Sequence, residues 1–199
     1  MSALSESEIA DLLVPYLPDP NAALVSQLSI YLDLLLKWNA RTNLTAIRDP
    51  QEVVRRHFGE SLFAARHLDP ATPTLLDFGS GAGFPGLPIA LLRPDIQVTL
   101  AESQNKKAAF LREAVRTLRL SSEVWPDRVE SMPADRRFHT VTLRAVDNME
   151  AALPVAKTRI APGGRLVLLT TAVHAPAGGQ VIALPNSTAG VVYVQTPSR

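Results

Sequence analysis

Residues 77 to 86 read DFGSGAGFPG, a glycine-rich segment between a short apolar run and a helical pattern. Gly79, Gly81 and Gly83 let the backbone turn sharply and approach a ligand closely. Open α/β sheets bind nucleotide-like ligands in loops of this kind, at the carboxyl ends of their strands. A tight strand-to-helix turn that holds no ligand is the alternative.

Two features separate this loop from the dinucleotide-binding fingerprint. Its third glycine comes two residues after the second, and Phe84 stands where that fingerprint needs glycine. Asp77 would repel a pyrophosphate but suits a ligand with a positively charged amino-acid end, such as S-adenosylmethionine. Glu102 lies 23 residues after Gly79. An acid there accepts hydrogen bonds from ribose hydroxyls, although it would also fit a solvated strand end.

Alternating strand and helix patterns follow residue 70 and indicate how the loop is positioned. The predicted helices span residues 87–93, 106–120 and 149–160, and Pro162, Gly163 and Gly164 are predicted to end the last one. The predicted strands span residues 74–78, 97–101, 123–125, 140–143, 166–169, 180–184 and 190–195. This order predicts a doubly wound α/β sheet with an antiparallel pair at its edge.

The first 70 residues are predicted to be helical. A helix starts after Ser5, an amphipathic helix spans residues 22–38, and another runs from Pro50 to about His67. A turn-rich link occupies residues 69–73. We therefore expect an N-terminal helical extension, residues 1–70, packed on a main domain, residues 71–199.

The composition excludes several classes of function. The chain has 199 residues, of which 46% are hydrophobic and 20% charged, as in an ordinary soluble protein. It has no cysteine, which excludes disulfides and cysteine chemistry and is compatible with the cytoplasm. The N-terminus does not resemble a signal peptide, and no apolar run is long enough for a membrane span. The histidines lack metal-ligand spacing, so we expect no metal site.

Charge is distributed unevenly although the net charge is only +1. Residues 1–36 hold five acids and no Lys or Arg, residues 37–67 hold six Lys or Arg against three acids, and residues 106–144 hold nine against five. One face of such a molecule could bind a polyanion, and solvated helix surfaces are the alternative. The candidate phosphate contacts are Arg55, Arg56, Lys106, Lys107, Arg112, Arg116 and Arg119.

Two separate motifs resemble one family. The segments KWNARTNLTAIRDPQEVVRRHFGES and DFGSGAGFPGLPIALLRPD, with the later DRVE and LRA, are similar to those of the bacterial ribosomal RNA small-subunit methyltransferase G family. The resemblance implies a Rossmann-like class I methyltransferase fold, with a mainly parallel seven-stranded sheet and helices on both faces. It implies transfer of a methyl group from S-adenosylmethionine to N7 of a guanine in small-subunit (16S) ribosomal RNA, either naked or in the assembled subunit.

The resemblance also implies site residues. It places cofactor contacts at Gly79, Phe84, Ala101, Glu102, Ser103, Val129, Glu130 and Arg144, to which the loop itself adds Asp77, Gly81 and Gly83. Asn43 and His57 are implied on the active-site side, and we assign them to RNA with Arg56 and Arg128. The chain departs from the family at the end of the fifth strand, where Thr170 replaces the usual lysine.

Guanine N7 carries an exposed lone pair, so its methylation requires orientation and no general base. We expect Arg144 to orient the guanine or its phosphate through its planar donors, a structural salt bridge being the alternative. His57 could stack on a base or could simply be packed under the helices. A small-molecule methyltransferase and a non-catalytic RNA-binding relative are the competing hypotheses. We expect a monomer.

Overall fold

The computed structural model describes residues 2–146 and 148–196. Its seven-stranded sheet has the order β3-β2-β1-β4-β5-β7-β6. Neighbours among the first five strands are parallel, whereas β7 is antiparallel to both β5 and β6. The strands are β1 Thr74–Phe78, β2 Gln97–Ala101, β3 Glu123–Trp125, β4 Phe138–Arg144, β5 Ile160–Thr171, β6 Gln180–Ala183 and β7 Gly190–Gln195. The expected mainly parallel α/β sheet is confirmed.

Helices precede the sheet and connect its strands. Those before β1 are α1 Glu6–Leu13, α2 Ala22–Thr42, α3 Pro50–Glu52, a π-helix Val53–Gly59 and α4 Glu60–Arg66. Those between strands are α5 Gly86–Leu92, α6 Asn105–Thr117 and α7 Met149–Thr158. Ser5 and Asn21 cap α1 and α2 by accepting hydrogen bonds from backbone amides. None of the described helices has the length and apolar character needed to cross a membrane.

Both faces of the sheet are covered by helices. Successive side chains of a strand point to opposite faces, so Leu75 and Leu76 of β1 belong to two different cores. The first core joins the sheet to helices that precede β1, through residues such as Leu28 of α2 and Leu62 of α4, and to helices that follow β1. The second contains Ala156 of α7. The helices before β1 therefore share their apolar core with the sheet.

The helix predicted from Pro50 to about His67 is not regular. Between Val53 and Gly59 the backbone forms a π-helix, in which hydrogen bonds span five residues. The predicted extent is confirmed, because helical segments follow one another without a break from Pro50 to Arg66. The spacing of apolar residues does not separate the π-helical segment from an ordinary helix. The carbonyl groups of Arg56 and His57 in this segment accept hydrogen bonds from Arg144.

The predicted end of the last helix was wrong. Helix α7 ends at Thr158, and Pro162, Gly163 and Gly164 lie within β5. Gly163 has a φ of +76°, and the pairing of β4 with β5 shifts register between Phe138 and Thr140. The glycines thus form an irregularity inside a long strand, a position where glycine is common.

Asp77 of β1 links three elements. Its carboxylate is fully buried and accepts hydrogen bonds from the Gly86 amide of α5 and the Thr142 hydroxyl of β4, each at 3.0 Å. Burial raises the pKa of this carboxyl to about 6, although the hydrogen bonds oppose the shift. The side chain therefore holds the start of α5 against the centre of the sheet.

Replacing Asp77 with asparagine keeps the side-chain size and removes its titration. Since the pKa rises from 3.8 unfolded to about 6 folded, Asp77 favours folding below pH 3.8, and this contribution is lost as the pH rises through 6. We expect the unfolding free energy of wild type minus that of Asp77→Asn to fall by about 2–3 kcal/mol between about pH 4 and pH 7. Denaturant titrations at several pH values measure this difference, and a pH-independent difference would contradict it.

Candidate active site

A cavity of about 760 Å³ opens where β1, β2 and β4 end. Ligands of open α/β sheets bind at this edge, and the volume is in the range of small-molecule sites. Twelve of the site residues expected from the sequence line it: Arg56, His57, Gly79, Gly81, Phe84, Ala101, Glu102, Ser103, Arg128, Val129, Glu130 and Arg144. Three others, Asn43, Asp77 and Gly83, do not.

The glycines of the loop differ in what they do. Gly79 and Gly81 line the cavity with φ values of +71° and +57°. A Cβ atom on either would have no protein atom closer than 3.6 Å, so their backbone faces open space. Gly83 has a φ of +94°, and a Cβ there would collide with Leu87 and lie 2.7 Å from the Tyr31 hydroxyl. Packing therefore requires glycine at position 83, and this residue, expected as a cofactor contact, does not line the cavity.

The direct cofactor role expected for Asp77 also needs correction. Its carboxylate lies beneath the loop with no exposed surface, and its two oxygens already accept hydrogen bonds from Gly86 and Thr142. The carboxyl cannot reach a ligand in the cavity unless the loop opens. The sequence alone does not separate the two roles, because an acid two residues before a glycine loop can be either a ligand contact or a buried anchor.

Glu102 lies at the end of β2 with 6% of its surface exposed, and it lines the cavity. One carboxylate oxygen accepts a hydrogen bond from the Gly81 amide at 2.9 Å, and the other from the Gln104 amide at 2.7 Å. An ionised carboxylate has about four acceptor positions, so each oxygen keeps one for a ligand hydroxyl. Glu102 thus fixes the glycine loop and still has acceptors free on the cavity side.

Tyr31 of α2 holds the same loop from the helical extension. Its buried hydroxyl donates to the Ala82 carbonyl, and burial raises the pKa of the phenol so that it stays protonated. The Tyr31 ring stacks on Phe84 with a centroid distance of 5.5 Å and on Phe58 at 5.0 Å. These contacts attach the first helices of the chain directly to the cavity wall.

His57 forms part of that wall in the π-helix. Its ring stacks on Phe84 with centroids 4.5 Å apart, and its Nε2 lies 2.7 Å from the Thr45 hydroxyl. Burial, followed by the charges of Arg144 and Arg56, lowers the pKa of His57 to about 3. The imidazole is therefore neutral at physiological pH. Its Nδ1 is buried and has no hydrogen-bond partner in residues 2–146 and 148–196.

Arg144 lies at the end of β4 and reaches back to the extension. Its Nη2 donates to the Arg56 carbonyl at 2.7 Å and to Glu60 at 2.8 Å, and its Nη1 lies 3.5 Å from the His57 carbonyl. Burial lowers the pKa of the guanidinium and raises that of Glu60, each opposed by the other's charge. Several donors of Arg144 are thus used within the protein. The salt bridge that was the alternative to a guanine contact does form, with Glu60.

The remaining RNA candidates lie at the rim or outside it. Arg56 is exposed at the rim and lies 3.9 Å from Glu60, and Arg128 is exposed on the wall after β3. Asn43 ends α2 in the left-handed conformation, with a φ of 45°, and its side chain accepts from Arg48 at 2.7 Å. Asn43 thus positions the following residues, 44–47, which do line the cavity.

Sequence reasoning missed several residues that build this site. Tyr31 falls on the apolar face of the amphipathic helix predicted over residues 22–38, and that pattern gives no sign of the partner that a buried tyrosine hydroxyl needs. Glu60 and Thr45 carried no signal of their own, because their partners Arg144 and His57 are distant in sequence. In the part of the chain that the structure describes, no cluster of three or more His, Asp or Glu could hold a metal ion.

Tyr31→Phe tests the attachment of the loop to the extension. The variant keeps the ring and leaves the Ala82 carbonyl without its donor, so we expect the unfolding free energy to fall by about 1–3 kcal/mol. We also expect severalfold weaker S-adenosylmethionine binding by calorimetry, because the loop is held less firmly. Tyr193→Phe is the matched control, since it removes a hydroxyl that donates to Ala177 far from the cavity. Equal cofactor affinities in the two variants would contradict the prediction.

Comparison with known proteins identifies relatives of the chain. The family model described as rRNA small subunit methyltransferase G matches residues 24–175. The ribosomal RNA small subunit methyltransferase G of Xanthomonas euvesicatoria pv. vesicatoria (strain 85-10) is 42% identical over 150 residues, which cover 75% of this chain and 70% of that protein. Its counterpart from Stenotrophomonas maltophilia (strain K279a) is 43% identical over 168 residues, covering 81% and 78%.

A solved structure supports the fold assignment. Ribosomal protein L11 methylase from Lactobacillus delbrueckii subsp. bulgaricus has a TM-score of 0.57 and 8% identity, covering 70% of this chain and 77% of that one. At this identity the likeness concerns the fold alone. The matched residues 24–175 include the glycine loop, Glu102 and Arg144. The chain belongs to the rRNA small subunit methyltransferase G family.

Proposed function

We propose that the chain transfers a methyl group from S-adenosylmethionine to N7 of a guanine in bacterial small-subunit ribosomal RNA. The observation that carries the proposal is that one cavity brings together the glycine loop, Glu102 and the basic side chains of Arg56, Lys107 and Arg128. The first two suit the cofactor, and the third suits a polyanion at the same opening. The names of the relatives give the same substrate class.

The cavity residues fit S-adenosylmethionine. Gly79 and Gly81 leave open space where other residues would place a Cβ atom, so a ligand can approach the backbone closely. Glu102 has free acceptor positions for ribose hydroxyls beside the loop. Val129 is buried in the cavity wall and offers an apolar surface to an adenine ring. We retain Ala101, Ser103 and Glu130 as neighbouring contacts.

The chemistry requires the chain to orient the cofactor and the guanine and to exclude water. S-adenosylmethionine, when bound, supplies a methyl group on a positively charged sulfur. N7 has no proton to lose, so no side chain needs to act as a base, and the neutral His57 is compatible with this. Methylation leaves the positive charge on the guanine, so the cavity needs no new counter-ion. The rate then depends on how firmly the walls hold the two reactants in line.

Arg144 contributes to this orientation as a positioning residue. Its guanidinium binds the carbonyls of Arg56 and His57 and thereby sets the π-helix that presents the His57 ring to the cavity. Arginine is needed here, because its planar guanidinium carries several donors and contacts Glu60 and both carbonyls at once. This role replaces the direct contact with guanine that the sequence led us to expect.

The proposed function includes the role of the first 70 residues, the oligomeric state and location of the protein, and the form of its substrate. Residues 1–70 form an extension that completes the active site of a methyltransferase domain, residues 71–199, as the contacts of Tyr31 and Arg144 support. The protein acts as a monomer in the cytoplasm. Its substrate is either the naked RNA or the assembled subunit.

A methyl-transfer assay tests the proposed function. Purified chain, labelled S-adenosylmethionine and small-subunit RNA should give about one methyl group per RNA, and mass spectrometry should find it as N7-methylguanine. Glu102→Gln should weaken cofactor binding about 10- to 100-fold, because hydrogen bonds to a charged group contribute about 1.5–3 kcal/mol. Glu123→Gln is the control, since Glu123 pairs with Arg136 and does not line the cavity.

Other outcomes of that assay separate the competing functions. Cofactor binding without transfer to naked RNA or assembled subunits, together with transfer to small molecules, would favour a small-molecule enzyme. RNA binding without cofactor binding would identify a non-catalytic relative. A methyl group on any atom other than guanine N7 would contradict the proposed reaction.

Arg144→Lys tests the positioning role. Lysine can still pair with Glu60 but cannot bind both carbonyls of the π-helix, so we expect kcat/KM for RNA to fall about tenfold or more. The cofactor dissociation constant should stay within about twofold of wild type. Arg136→Lys, which changes the pair with Glu123 outside the cavity, should alter neither value. Equal losses of cofactor binding and of kcat/KM in Arg144→Lys would contradict a role confined to positioning the π-helix.

A further inference from the structure

Helices α2 and α6 lie side by side and run in opposite directions. The Gln27 side chain donates to the Leu118 carbonyl at 3.4 Å, and the Trp38 indole donates to Glu113 at 3.2 Å. The turn of α2 that carries Trp38 therefore lies beside Phe110 and Glu113 in the middle of α6. This pair of neighbouring helices carries six cations, which we call the basic band: Lys37 and Arg41 of α2 and Lys106, Lys107, Arg112 and Arg116 of α6.

The cations of the basic band are not neutralised within the protein. All are exposed except the half-buried Lys107. Within residues 2–146 and 148–196, six other arginines form ion pairs, whereas no carboxylate lies within 4.0 Å of a band cation. Glu113 is the one acid of α6, and one of its oxygens accepts from Trp38. The band therefore presents a positive surface to solvent.

The basic band leads into the active-site cavity at both helices. Lys107 lines the cavity itself. Helix α2 ends at Thr42, and residues 44–47, directly after it, form another part of the cavity wall. A polymer whose target base occupies the cavity would thus meet the band on leaving it.

Trp38 adds an aromatic surface inside the basic band. With Lys37, Arg41 and Thr42 it lines a depression of about 150 Å³ at the end of α2. The indole is partly exposed but fixed in place, by its hydrogen bond to Glu113 and by an edge contact with Phe110 at 5.7 Å. A fixed aromatic ring between cations is the chemistry that binds single-stranded nucleic acid, the ring stacking on a base and the cations contacting phosphates.

We propose that the basic band and Trp38 hold the single-stranded RNA that flanks the target guanine. Lys37 and Arg41 contact phosphates, and the exposed part of Trp38 stacks on one nucleobase in the depression. The inference rests on the proposed function and deepens it, because it assigns the path of the RNA outside the cavity. Charge complementarity and continuity with the cavity favour RNA as the occupant of this surface.

The double variant Lys37→Ala/Arg41→Ala tests the path. Binding of transcribed small-subunit RNA should weaken about tenfold or more. The salt dependence of binding should become shallower by about 1.4 in slope, since each lost contact to single-stranded RNA removes about 0.7. The matched control is Arg137→Ala/Lys157→Ala, which removes the same charge from exposed positions outside the band. The control should bind RNA within about twofold of wild type, and both variants should bind S-adenosylmethionine normally.

Tryptophan fluorescence tests the stacking. In a Trp125→Phe background Trp38 is the remaining tryptophan, because the chain has two, and its emission should be quenched when RNA binds. RNA binding without quenching would overturn the stacking on Trp38. Equal losses of affinity in both double variants, or no loss in either, would overturn the path along the band. If wild type binds RNA and the two variants differ as expected but no methyl is transferred, the proposed function fails while the path stands.

Discussion

The left-handed backbone of the glycine loop is the constraint on which the site depends. Gly79, Gly81 and Gly83 all have positive φ, a conformation that must be held in place because the unfolded glycines have many alternatives. Three buried groups hold it from three directions. Asp77 binds the amide of Gly86 from below, Glu102 binds the amide of Gly81 from β2, and Tyr31 donates to Ala82 from α2.

This arrangement makes the helical extension a part of the site. Tyr31 and the π-helix contact the loop through stacked rings, and Arg144 connects the π-helix back to the end of β4. A π-helix costs more than a regular helix, and such segments occur frequently at functional sites. Here its cost is offset by the hydrogen bonds of Arg144 and by the burial of Phe58, and the result is a rigid neutral wall at His57.

The sequence predicts the sheet and the loop well because both depend on local patterns. Strands β1, β2, β3 and β7 begin and end where the apolar runs do, and the spacing of Phe84 and Glu102 correctly brings both to one cavity. Whether Asp77 faces the ligand or the interior depends on long-range packing, which its position in the motif does not reveal. The π-helix and the partners of Arg144 were missed for the same reason, since Glu60 lies 84 residues away in the chain.

A crystal structure of the chain with S-adenosylhomocysteine would show directly whether this cavity is built for the cofactor. We expect the ribose hydroxyls on the free acceptor positions of Glu102, the adenine against Val129 and the amino-acid end beside Gly79 and Gly81. We also expect the Tyr31 hydroxyl still to donate to Ala82 and Asp77 to remain out of contact with the ligand. A ligand bound elsewhere, or one that contacts Asp77 after the loop has opened, would contradict this assignment of the cavity.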